Sequence, residues 1–169
     1  MACSITLNGY ELSCKDNVGG LETVYIFPFS SSTTYTKIVD GSITGITGGP
    51  SGKEYEQRPE TANFAEAITA NIQNGTVVYE NTLTLSFTKL DQALRNEVKE
   101  ITKGRVTVIT KDANGKFWLH GEGRGGDVNG GSLLSGTAFA DKNGVDLTIL
   151  FKEKEPAVEI TEAAFSGLI

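Results

Sequence analysis

Histidine is almost missing from this chain: 169 residues hold one histidine, two cysteines, one tryptophan, one methionine and four prolines. One histidine with Cys3 and Cys14 cannot supply the four ligands of a structural zinc site, and no carboxylates carry calcium-loop spacing. No apolar run approaches the roughly 20 residues that span a bilayer, so no membrane partner is expected. The opening MACSITLNGYELSCKD has no basic stretch leading into an apolar one, and therefore does not read as a secretory signal. Cys3 and Cys14 are accordingly expected to be reduced, partly buried thiols. Lysine and arginine number 15 against 21 acids, a net charge of −6. That balance argues against a protein that grips nucleic acid through its phosphates, which needs a basic face.

Catalytic patterns are equally scarce. No serine sits in a nucleophile elbow that could use His120, which lies beside Trp118 on a predicted strand and reads as structural. Gly121, Gly123 and Gly126 match G-x-G-x-x-G, but a glycine- and serine-rich segment follows where a dinucleotide site needs a helix. The run GGPSGK at 48–53 departs from a phosphate loop at Thr47 and Glu54. Asn74-Gly75-Thr76 has the form of a glycosylation sequon and reads as a turn. Glu54, Glu56, Glu60, Glu66 and Glu80 lie near one another, yet no spacing singles out an acid pair. The expectation is a non-enzyme without catalytic residues, cofactor or metal.

What the chain does have is alternation. Twenty glycines and 38% hydrophobic residues point to a turn-rich β protein with one domain over 1–169. Over 76–87 (TVVYENTLTLSF), Val77, Tyr79, Leu83, Leu85 and Phe87 share one parity, and Thr76, Glu80, Thr82, Thr84 and Ser86 the other. Residues 61–73 form a matching strand, with Phe64, Ile68, Ala70 and Ile72 opposed to Asn63, Thr69, Asn71 and Gln73. Asn74-Gly75 between them predicts a two-residue type I′ hairpin turn. One amphipathic helix follows, with Leu90, Leu94, Val98 and Ile101 on one face, a capping box at Thr88 and Asp91, and a stop at Gly104. Further strands are predicted at 22–28, 34–39, 105–111, 116–120, 132–140 and 145–152. Residues 41–52 read as a glycine-rich loop or mobile edge, and 157–169 as a C-terminal arm. The sum is all-β with one flanking α-helix, a β-sandwich or partial barrel.

Several of these residues look familiar together. The runs YEQRPETA at 55–62, QNGT at 73–76, YENTLTL at 79–85, KLD at 89–91, KGRV at 103–106, DANG at 112–115 and CKDNVGG at 14–20 resemble tail tube proteins of tailed phages, particularly those infecting Bacteroidetes. The resemblance implies a β-sandwich with a flanking helix, assembled as hexameric rings stacked into a hollow tube. It extends to the inner tubes of contractile tails and type VI secretion systems. It also implies a virion tail location, with assembly in the host bacterial cytoplasm. The implied partners are further copies of the chain, other tail proteins at the tube ends, and double-stranded DNA passing through the lumen without specific binding.

The residue pattern fits that implication in three ways. A hairpin this long leaves strand edges that a neighbouring copy would satisfy. Its polar face, with Asn63, Thr69, Asn71, Glu80, Thr82 and Thr84, would suit a wet lumen. A net charge of −6 per copy would discourage DNA from sticking, within the roughly 8 Å that salt screening allows. The 41–52 loop, with Gly41, Gly45, Gly48, Gly49 and Gly52, is the expected contact between rings. Two other readings stay open: another virion component, such as a tail terminator, neck or head-decoration protein, and a carbohydrate-binding module.

Overall fold

A computed structural model of the chain describes residues 6–166 and 168. Among them run β1 (Leu21–Pro28), β2 (Thr34–Lys37), β3 (Ile43–Thr47), β4 (Lys53–Glu56), β5 (Asn63–Asn71), β6 (Thr76–Thr88), α1 (Gln92–Ile101), β7 (Val106–Asp112), β8 (Phe117–His120), β9 (Gly126–Leu134), β10 (Gly144–Glu153), β11 (Val158–Ile160) and α2 (Glu162–Ser166). The chain is thus all-β with a flanking helix, and a second, shorter helix follows the last strand. All strands belong to one open mixed sheet in the order β2-β3-β11-β8-β7-β9-β10-β6-β5, with β1 between β4 and β7. Only β11 and β3 run parallel, meeting at Ile160 and Ile43.

Alternation decides how this sheet folds over. Leu83, Leu85 and Phe87 of β6 and Val145, Leu147, Ile149 and Phe151 of β10 turn one face inward. They meet Val24 and Ile26 of β1, Val106 and Val108 of β7, and Val98 and Ile101 of α1. A second core lies on the other side of β1 and β7, where Tyr25, Phe27, Ile109, Phe117 and Leu119 are covered by Ile43, Ile160, Ala164 and Phe165. β1 serves both cores, which is why its run VYIF is continuously apolar.

Several expectations are corrected. Asp91 is itself the helix N-cap, its carboxylate accepting the Leu94 N–H at 2.8 Å, so the helix starts at Gln92 and Thr88 belongs to β6. The helix ends on Thr102, ahead of Gly104. The hairpin turn spans 72–75, and Gly75 alone in it has positive φ, at 63°; a type I′ turn would need two such residues. Asn71 closes the turn instead, its side-chain oxygen accepting the Asn74 N–H at 3.0 Å. The strand expected at 132–140 lies at Gly126–Leu134, followed by a loop over 135–143. Glycines hide its periodicity because β9 lies close on β10: a Cβ on Gly131 would stand 2.7 Å from the Asp146 carbonyl oxygen.

The C-terminal arm is corrected as well, for its described residues. β11 pairs with β8, and the Phe165 ring lies 4.3 Å from that of Phe117 and 4.6 Å from that of Tyr25. Cys14 is exposed rather than partly buried, and Cys3 lies outside the described residues.

Candidate assembly interface

β9, β10, β6 and β5 form a four-stranded antiparallel stretch of the sheet, and its outward face carries the polar residues singled out from sequence. The register sets Asn63 opposite Thr84, Ala65 opposite Thr82, Ala67 opposite Glu80, Thr69 opposite Val78 and Asn71 opposite Thr76. Directly paired residues project to the same side. Asn63, Thr69, Asn71, Glu80, Thr82 and Thr84 therefore share one surface. β10 extends it with Asp146, Thr148, Leu150 and Lys152, opposite Ser86, Thr84, Thr82 and Glu80. Sequence reasoning missed these β10 residues because it took account only of the strand's apolar parity.

The charges of this face largely cancel. Glu80 pairs with Lys152 at 2.8 Å, and the Lys142 ammonium bridges Asp146 and the Ser86 hydroxyl, the latter at 2.6 Å. Asp127, opposite Leu150 on exposed β9, is the one further acid on the face. A surface of threonine, serine, asparagine and internally paired ions is wet and close to neutral. The excess negative charge of the chain resides elsewhere.

Both lateral borders of this stretch are open among the described residues. β5 has β6 on one side and no strand on the other. β9 follows β10 along its length but touches β7 only where Val106 meets Gly126, leaving 127–134 without a second partner. Edge strands are usually guarded by lysine, proline or brevity. Neither edge here contains lysine or proline, each strand is nine residues long, and the only guards are one acid on each (Glu66 and Asp127) and a bulge at Asn129 in β9. Direction matters too. Four antiparallel strands alternate in sense, so β5 and β9 run opposite ways. A second copy related by rotation can therefore add its β9 to β5 and continue the antiparallel ladder with matched lengths.

The glycines expected to contact a neighbouring ring also shape the fold of their own subunit. Gly45 lies within β3 opposite Thr36, and Ile43 beside it is wholly buried, so 41–52 is not one free loop. Gly41, with φ of 92°, turns β2 into β3. Gly48 and Gly49 pack on Ser32 and Thr33, and a Cβ on Gly52 would collide with the Phe27 ring at 2.5 Å. Sequence reasoning read flexibility where these positions provide close approach.

One polar cleft, about 420 Å³, opens where the hairpin leaves the core, lined by Tyr35, Asn81, His120, Glu122, Phe151 and Pro156 among others. Asn81 breaks the apolar parity of β6 and is buried there with neither amide atom hydrogen-bonded. His120 shares a 2.9 Å hydrogen bond between Nε2 and the Thr110 hydroxyl, while its Nδ1 has no partner. Complete burial pushes the imidazole pKa down to about 3, so the ring is neutral. The Lys37 ammonium at the mouth pairs with Glu122 at 2.9 Å and Glu155 at 3.5 Å. Among the described residues, no three His, Cys, Asp or Glu side chains converge as metal ligands. A scan of protein-family models and a search among curated proteins found no match to this chain.

Proposed function

We propose that this protein is a non-enzymatic structural subunit that assembles laterally into rings and builds a tail tube, with the polar face of β9-β10-β6-β5 lining the channel. The observation that carries this reading is the pair of lightly guarded, equally long, oppositely directed edges on β5 and β9. An isolated molecule exposes two rows of unsatisfied backbone groups, and a closed ring of copies removes both. Pairing β9 of each copy with β5 of the next would merge the four-stranded stretches into one barrel. Six copies per ring, stacked rings and a location in the virion tail follow from the family resemblance. The wet, charge-compensated face suits a lumen through which double-stranded DNA slides without being held, since no basic patch on it would retain phosphates.

A carbohydrate-binding role has less support. Trp118, the aromatic such a site would use, donates its indole N–H to Asp112 at 3.2 Å and lies with its ring 6.3 Å from that of Phe64. The test is negative-stain microscopy and sedimentation of the purified chain. Annular particles or hollow tubes are expected, and a strict monomer at every concentration and salt tested would overturn the proposal.

A further inference from the structure

The lateral edges account for closure around a ring but leave the two ends of the same sheet stretch unexplained. At one end the β5–β6 hairpin runs on beyond the core. Ile68 stands opposite Tyr79 and Ala70 opposite Val77, on the side that carries Leu83 and Leu85 into the core further along β6. The apolar stripe therefore continues past the last residue the molecule covers. Ile68 and Val77 are exposed on it, and Ile72 in the turn is 96% exposed.

At the other end the strand register places Thr88, Gly144 and Leu134 side by side, followed by the 135–143 loop. Leu133 and Leu134 are exposed there, and Phe139 stands fully clear of the surface at 113%. This loop is built to hold that ring out. The Asp141 carboxylate accepts the N–H groups of Thr137 at 2.9 Å and Ala138 at 2.7 Å, which keep its pKa below the usual range. Asn143 accepts the Leu90 N–H at 2.8 Å through its side chain and donates to the Ser135 carbonyl at 3.2 Å, tying the loop to the end of β6.

We propose that copies of this chain also join end to end, the hairpin tip of one (Ile68, Ile72, Val77) seating on Leu133, Leu134 and Phe139 of the next. The proposal rests on the tube reading and names its axial contact. The occupant is a second copy because the two surfaces match in character and position. Neither 67–79 nor 128–140 contains a charged residue, so their contact would bury no ion. They lie at opposite ends of β6, whose 13 residues span roughly 40 Å at about 3.3 Å per residue. No single molecule can bring them together. Unlike surfaces at opposite ends make a heterologous contact, which repeats into an open stack rather than closing a dimer. Aromatic side chains, phenylalanine included, are enriched at such interfaces.

The test uses the full chain with Ile72→Ser and, separately, Phe139→Ser. Both side chains are solvent-exposed, so thermal unfolding of the variants should match the parent. Rings are expected to persist while the concentration needed for tubes rises at least about tenfold, the equivalent of about 1.4 kcal/mol. A second measurement mixes an Ile72→Cys chain with a Phe139→Cys chain, both carrying Cys3→Ser and Cys14→Ser, under oxidation. A disulfide-linked species containing one of each is expected. Tubes at the parent concentration in both serine variants, or no mixed crosslink, would overturn the axial contact. Parent rings that never stack would overturn it too while leaving the lateral edges standing; a parent that forms no rings would overturn both.

Discussion

β1 and β5 are strands of similar length, eight and nine residues, with opposite fates. β1 lies between β4 and β7 and is buried on both faces, Val24 and Ile26 toward one core and Tyr25 and Phe27 toward the other. β5 has one neighbour, and apart from half-buried Phe64 all its residues are exposed. Within one sheet, then, one region satisfies itself and another leaves backbone groups and side chains such as Ile68 and Ile72 to the outside. Burying a side chain of leucine or isoleucine size is worth about 1.5–3 kcal/mol, so the exposed apolar side chains next to this open edge are what the proposed contacts between copies would cover.

The sharpest way to break this contrast is to block the open edge. In an antiparallel ladder, neighbouring residues alternate in whether their backbone groups point toward the paired strand or away. Of Thr69→Pro and Ala70→Pro, one should therefore disrupt the β5–β6 ladder and the other should leave a folded monomer that no longer forms rings. Circular dichroism together with sedimentation separates the two. Rings from both variants would mean that β5 is not a shared edge.

Next in size is a paired core comparison. Leu83→Ala, at a wholly buried position, should cost about 2–5 kcal/mol in urea unfolding, whereas Ile68→Ala on the projecting hairpin should fall within about 0.5 kcal/mol in the monomer. Equal effects would erase the distinction between the covered and uncovered parts of β6 and its partner.

His120 reports on the buried side. Its folded pKa is depressed from 6.5 to about 3 by burial, so the unfolded chain takes up a proton that the native ring refuses. Its contribution to stability is full above pH 6.5 and is lost progressively as pH falls from there toward about 3. His120→Gln should flatten that part of the stability–pH curve. An unchanged slope would show that the imidazole is not held neutral.

The smallest effect is expected on the polar face. Glu80→Lys places two ammonium groups opposite each other and should lower monomer stability by about 0.2–1 kcal/mol without preventing rings. If the face lines a channel, DNA transit should slow; unchanged transit would place the lumen on another surface.

Much of this is legible in the residue pattern. The period-two run at 76–87 gave β6 almost to the residue, and Val145, Leu147, Ile149 and Phe151 gave β10 its buried face, because strong alternation leaves one choice of side. The amphipathic spacing of Leu90, Leu94, Val98 and Ile101 located α1 within two residues. β3, β4 and β11 were missed, since strands of three to five residues rich in glycine or charge carry too little pattern. Of the candidate site, the polar face of the hairpin was readable, but the ion pairs that neutralise it join residues 72 and four positions apart, and alternation says nothing about which charges meet.

The class follows from the chain alone, because alternating hydrophobicity forces strands. Which strands end unpaired was decided only by the tertiary structure. Edge status depends on the order of strands across the sheet, and that order is set by how β1 and β7 share two cores, a packing outcome that no local period encodes.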